Sequence, residues 1–206
     1  MKIYDISQEV FTCAVYPGDP SPERMVMMKI SDGAVCNLTA LKMCAHNGTH
    51  VDAPYHFINE GKTIDQVDLN RFVGYAFVAS HEGNLSAEDA GTILAKAKAA
   101  SVDSGIADCD CHRRILVRGK AVVTEDAAKV FADHKILLFG NESQTVGPED
   151  APMAVHLIML NSEIVLLEGI RLNEVADGVY LLNAAPLNLG GADGAPCRAW
   201  LMSVSP

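Results

Sequence analysis

Between Cys44 and Phe57 the chain reads Cys-Ala-His-Asn-Gly-Thr-His-Val-Asp-Ala-Pro-Tyr-His-Phe, and this stretch restricts the backbone more than any other. Three of the seven histidines, His46, His50 and His56, fall in it with Asp52 among them. Imidazole and carboxylate are the donors a borderline divalent metal prefers, so the question is which backbone can gather them. On a flat strand His46 and His50 would stand about 13 Å apart at ~3.3 Å per residue, too far to share an ion. A continuous helix would bring those two together. It would also turn Asp52 well away from His50 at about 100° per residue, and Pro54 opposes its continuation. The consistent solution is a turn at Asn47-Gly48, then an extended piece on which His50 and Asp52 share a face. A bend at Pro54 then returns His56. This is not the helical H-E-x-x-H arrangement. A lone histidine usually reads as a hydrogen-bonded loop residue, whereas three spaced imidazoles with a carboxylate have a direct coordination rationale.

The rest of the chain supplies a scaffold of alternating strands and helices. Strands are expected at Met1 to Ile6, Met25 to Ile30, Leu38 to Cys44, Tyr75 to Ser80, Ile115 to Val117, Ile136 to Phe139, Ile164 to Leu167 and Val179 to Leu182. Tyr16-Pro17-Gly18-Asp19-Pro20 is a rigid turn cluster. Ser86 followed by Glu88 and Asp89 opens a helix running to about Ala100, and Thr124 caps a second with Ala127, Ala128, Val130 and Phe131 available for burial. Ala151 to Leu160 reads as a third, with Pro152 in its first turn. The tail from Pro186 to Met202 is turn-rich and ends in a short apolar strand. Helix follows strand repeatedly, so an α/β class is expected. No repeat or low-complexity linker divides the 206 residues, so residues 1–206 are read as a single domain.

Charge and cysteine usage exclude several classes. The formal net charge of −10, with no basic cluster, argues against nucleic acid as a partner. No apolar run is long enough to cross a bilayer and no signal peptide is legible, so a cytoplasmic protein without a membrane partner is expected. Six cysteines in such a setting read as reduced thiols, Cys109-x-Cys111-His112 included, because no second ligand pair completes a zinc site. A nucleophilic Cys44 is the rival catalytic reading, set against a buried thiol on a strand. A non-catalytic metal-binding protein is the rival from another class.

The segment from His46 to Phe57 resembles, without a gap, the H-x-G-T-H-x-D-x-P-x-H-F hallmark of the cyclase family that includes bacterial kynurenine formamidases (arylformamidases). Tyr4-Asp5-Ile6-Ser7 and Tyr16-Pro17-Gly18-Asp19 resemble the family's opening. Leu167 to Leu172, with Glu168, and Gly191 to Ala199, with Asp193, resemble its closing motifs. Residues 81–113 match poorly and look lengthened by a helix. The resemblance implies a swivelling β/β/α fold and one or two divalent ions, zinc in most relatives and manganese in some. By motif position His46, His50 and Asp52 would bind the first ion, and Asp52 would bridge to a second held with His156 and Glu168. His56 would transfer protons and Tyr16, where the family usually carries tryptophan, would face the substrate. The implied reaction is hydrolysis of a small-molecule amide, N-formyl-L-kynurenine or an isatin-like lactam, by a homo-oligomer, dimer or tetramer. The family's Gly-Thr-Asp-x-x-Ser stands here as Gly140 to Thr145, and the extra methylene of Glu142 is expected to reshape the pocket.

Overall fold

The computed structural model describes residues 1–204. In chain order it runs β1 (Ile3–Asp5), β2 (Glu23–Met28), β3 (Leu38–Lys42), β4 (His50–Asp52), β5 (Val73–Ser80), β6 (Gly83–Leu85), α1 (Ala87–Asp103), β7 (Arg114–Arg118), β8 (Ala121–Val123), α2 (Glu125–Asp133), β9 (Leu138–Asn141), α3 (Met153–Asn161), β10 (Val165–Glu168), β11 (Gly178–Asn183), β12 (Gly194–Pro196) and β13 (Trp200–Ser203). The expected strands and helices all form within a few residues. The helix starts have the anticipated chemistry: the Ser86 hydroxyl and Asp89 carboxylate cap one another's backbone amides at α1, and Thr124 Oγ1 accepts from Ala127 N at α2. Pro152 is the cap of α3 and not a residue of its first turn, because the helix begins one residue later.

Nine strands make one mixed sheet in the order β1-β13-β11-β5-β7-β9-β10-β4-β12. Its centre, β5-β7-β9-β10, is parallel, as strand-helix-strand crossovers require; the flanking strands are antiparallel. Period-two alternation splits the central strands between two cores. Ile115, Val117, Phe139 and Leu166 face α1, α2 and α3, where they meet Leu94, Phe131 and Met159. Leu116, Leu138, Val165 and Leu167 face the other way and join Val51 and Ala195 from one end of the sheet with Leu182 and Leu201 from the other. Strands from both ends can share that cluster only because the sheet curls. β4 therefore lies in the closing rim of the curl, between β10 and β12. The β2–β3 hairpin is a separate two-stranded arm, and β6–β8 a small parallel pair. Among the described residues no helix is long and apolar enough to cross a membrane.

Candidate metal centre

The backbone around the histidines takes the turn, extension and bend that their spacing requires. Asn47 accepts the Cys44 amide on its side chain at 2.8 Å, and Gly48 follows in the left-handed region at φ 69°. Glycine enters that region without the steric cost a Cβ imposes. Thr49 pins the turn by donating its hydroxyl to Gly169 O at 2.8 Å. His50 and Asp52 then lie on one face of β4. Across the ladder Glu168 of β10 is directly opposite His50, and Leu166 opposite Asp52. Pro54–His56 closes a single 3-10 turn that brings His56 back. α3, which connects β9 to β10, supplies His156 from its buried side.

These side chains converge. Asp52 Oδ1 lies 2.9 Å from His46 Nδ1 and 3.5 Å from His50 Nε2, while Asp52 Oδ2 is 3.7 Å from His156 Nε2. Glu168 reaches His50 Nε2 at 3.4 Å and His156 Nε2 at 3.3 Å, and Val146 N donates to its Oε1 at 2.9 Å. His50, Asp52, His156 and Glu168 are each at most 3% exposed. Asp52 Oδ2 is buried with no hydrogen-bond partner. An orphaned carboxylate oxygen among imidazoles is costly and fits a divalent cation, for which this donor set is suited. Donor atoms within 4.8 Å of one another form two sets sharing Asp52: His46 with His56, and His50 with Glu168. That grouping differs from the family-implied one, in which His46 and His50 share an ion.

The electrostatics have one sense. Burial opposes charge on His46, but the carboxylates of Asp193 and Asp52 overcome it and push its pKa up to about 11. Burial likewise opposes charge on His50 and His156, and the Glu168 hydrogen bond together with the charges of Asp52 and Glu168 outweighs it, raising both. Burial works against ionised Asp52, yet His46 holds its carboxyl below the usual range. Without a bound cation the Asp52 and Asp193 carboxylates thus face the proton that His46 keeps; among the described residues no lysine or arginine lines the cavity.

The centre opens into a cavity of ≈ 210 Å³, with Tyr16, Asp19, His56, Phe57, Gln144 and Thr145 among its walls. Tyr16 does line it, its hydroxyl donating to Glu149 O at 2.8 Å. Phe57 lies 4.6 Å from the His156 ring. Glu142 does not line it: its carboxylate accepts the amides of Gly119 and Leu172, so the extra methylene is spent on backbone anchoring and leaves the pocket's outline alone. Cys44 lies beyond the end of β3 and is half-buried, not buried on a strand; its Sγ is 3.8 Å from Asp19 Oδ2. A larger groove of ≈ 890 Å³ contains no histidine, so the chemistry belongs to the smaller cavity.

One residue of the centre went unassigned in the sequence. Asp193 Oδ2 is 2.8 Å from His46 Nε2 and 3.1 Å from His56 Nδ1. Those two histidines hold its carboxyl far below the usual range, His46 first. The Gly-Ala-Asp-Gly closing motif was the available signal, but nothing in its spacing ties it to a histidine 147 positions away.

Comparisons with known proteins agree with this geometry. The cyclase family model, described as "Putative cyclase", matches residues 4–148. A kynurenine formamidase of Salinibacter ruber is 33% identical over 215 residues, covering 98% of this chain and 97% of that protein. One from Bacillus cereus is 33% identical over 213 residues, covering 97% of each. A solved structure described as a potential metal-dependent hydrolase with cyclase activity covers 100% of this chain and 99% of its own, at 26% identity and a TM-score of 0.77. An isatin hydrolase bound to thioisatinate shares the fold, with a TM-score of 0.75 over 97% of this chain and 91% of its own at 19% identity.

Proposed function

The chain belongs to the cyclase family, and on that footing we propose that it is a metal-dependent hydrolase of small amides, with N-formyl-L-kynurenine the leading substrate and L-kynurenine and formate the products. The carrying observation is the buried, unpartnered Asp52 Oδ2, 3.7 Å from His156 Nε2 and beside a cavity that His46, His50 and His156 line. His46, His50, Asp52, His156 and Glu168 would hold one or two divalent ions, zinc or manganese. Such an ion, when bound, supplies Lewis acidity for the carbonyl and lowers the pKa of water toward neutrality. His56, on the cavity wall, takes a proton from the attacking water and returns it to the leaving nitrogen as the C–N bond breaks, a role suited to imidazole near neutral pH. Tyr16 and Phe57 supply aromatic walls for a ring-bearing substrate. The same walls support a second reading, opening of an isatin-like lactam.

The setting we propose is cytoplasmic, in keeping with six free thiols, and without nucleic acid. The assembly is a homo-oligomer, dimer or tetramer. Its support is the β2–β3 arm, which pairs with no other strand among the described residues and leaves Met25, Val26, Met27 and Leu41 exposed.

The test is formate release from N-formyl-L-kynurenine, with isatin opening measured alongside. Chelation abolishes turnover and zinc or manganese restores it. His56→Ala retains metal and loses about 10²–10⁴-fold in kcat. Turnover indifferent to chelation overturns the reading; a His56→Ala protein that loses its metal makes His56 a ligand; a higher kcat/KM for isatin selects the lactam.

A further inference from the structure

We propose that Asp193 is the positioning residue of this centre: one of its oxygens ties His46 to His56 and sets which nitrogen of His56 carries the hydrogen, and so which nitrogen that ring presents to the chemistry. An ionised carboxylate only accepts hydrogen bonds. Its Oδ2, within 2.8 Å of His46 Nε2 and 3.1 Å of His56 Nδ1, therefore requires a hydrogen on each. In His56 the opposite nitrogen, Nε2, is left as a lone pair that can take a proton from water. His46 Nδ1 faces a second carboxylate, Asp52 Oδ1, at 2.9 Å, so that ring is held by a carboxylate at each nitrogen. The rings stack with centroids 4.1 Å apart and 29° between planes, so one oxygen serves both from one side. His50 and His156 obtain the same service from backbone carbonyls, Gly48 O at 3.0 Å and Pro152 O at 2.9 Å. Orienting partners of this kind fix the tautomer of a histidine and raise its basicity.

Strand pairing delivers the carboxylate. Asp193 O accepts the Ala53 amide at 2.9 Å, and the next residue, Gly194, pairs with Asp52 at the start of β12. A Cβ at Gly194 would lie 2.8 Å from both His46 Cε1 and Val51 O, so only glycine lets the chain lie this close to the imidazole. The Asp193 side chain is 40% exposed. It fills no core, and its removal leaves packing largely intact. Its two partners are a ligand of the proposed ion and the proposed proton carrier, so it couples them.

This assignment rests on the hydrolase reading, and its test is chosen to separate the two. Two-bond ¹⁵N–¹H correlation spectra of the histidine rings are recorded on zinc-saturated protein at neutral pH without substrate. In the wild type His56 carries its hydrogen on Nδ1 and has a bare Nε2; in Asp193→Ala it shifts toward the Nε2–H form. In the same variant, with zinc kept saturating, kcat falls about 10–100-fold with little change in KM, and Asp193→Glu recovers part of the loss. A wild-type His56 protonated on Nε2, or wild-type tautomers and turnover in Asp193→Ala, overturns the assignment. Should the alanine variant not fold, the wild-type spectrum and Asp193→Asn decide. A wild type that hydrolyses no amide defeats the functional reading alone, since the spectra need no substrate.

Discussion

At the scale of single residues the centre is a balance of protons and cations. With its pKa raised to about 11, His46 of the metal-free protein holds a proton throughout the neutral range. An ion that takes the lone pair on this ring must displace that proton. The sign follows: competition from the proton weakens as pH rises, so metal affinity climbs with pH and binding releases acid. Zinc competition titrations between about pH 6 and pH 8 should show affinity rising about tenfold per pH unit for each proton displaced. An affinity flat across that range would mean that His46 is not displaced from its carboxylates and takes no part in ligation. The histidine, aspartate and glycine types were legible from their spacing because turn, strand and bend act locally. The partner of His46 was not, because Asp193 reaches it through a contact between distant segments.

At the scale of elements, the helices were readable from their caps, and the parallel strands from short apolar runs. β4 was legible as the extended piece carrying His50 and Asp52; β6, β8 and β12 were not, because three residues carry too little periodicity, and each is extended mainly through its partner. β12 matters most among them, since its pairing with β4 carries Asp193 in. The support beneath the site is testable through α2. Phe131 is fully buried there, 5.1 Å from Phe139 of β9, the strand that leads into the loop whose Val146 amide holds Glu168. Phe131→Ala should cost about 3–5 kcal/mol of folding free energy. Lys129→Ala, which removes only an exposed pair with Asp126, should cost under about 0.5 kcal/mol. Urea unfolding followed by the fluorescence of the single tryptophan, Trp200, measures both. Equal costs would mean that α2 does not brace the sheet.

At the scale of the whole molecule, the α/β class and the curl that closes on the histidine strand follow from the alternation of buried residues on both faces of the central strands. The arm is the exception to that economy, since apolar side chains on an unpaired hairpin are a liability in an isolated chain. Light scattering should find a dimer or larger species for the wild type. Val26→Asp, at a half-exposed position on the arm, should shift it toward monomer without loss of helical signal. A wild type monomeric at micromolar concentration would remove the arm as an interface.

The pairing of β1 with β13 also has a consequence in time. Synthesis runs in sequence order, so Ile3 to Asp5 have no strand to join until residues 200–203 are made. β4 waits in the same way, because both of its neighbours, β10 and β12, come later by more than a hundred residues. The imidazoles on and around β4 therefore lack their flanking strands until residues 166–168 and 194–196 are made. Capture of an ion by these side chains is thus expected only once residues 194–196 have been made.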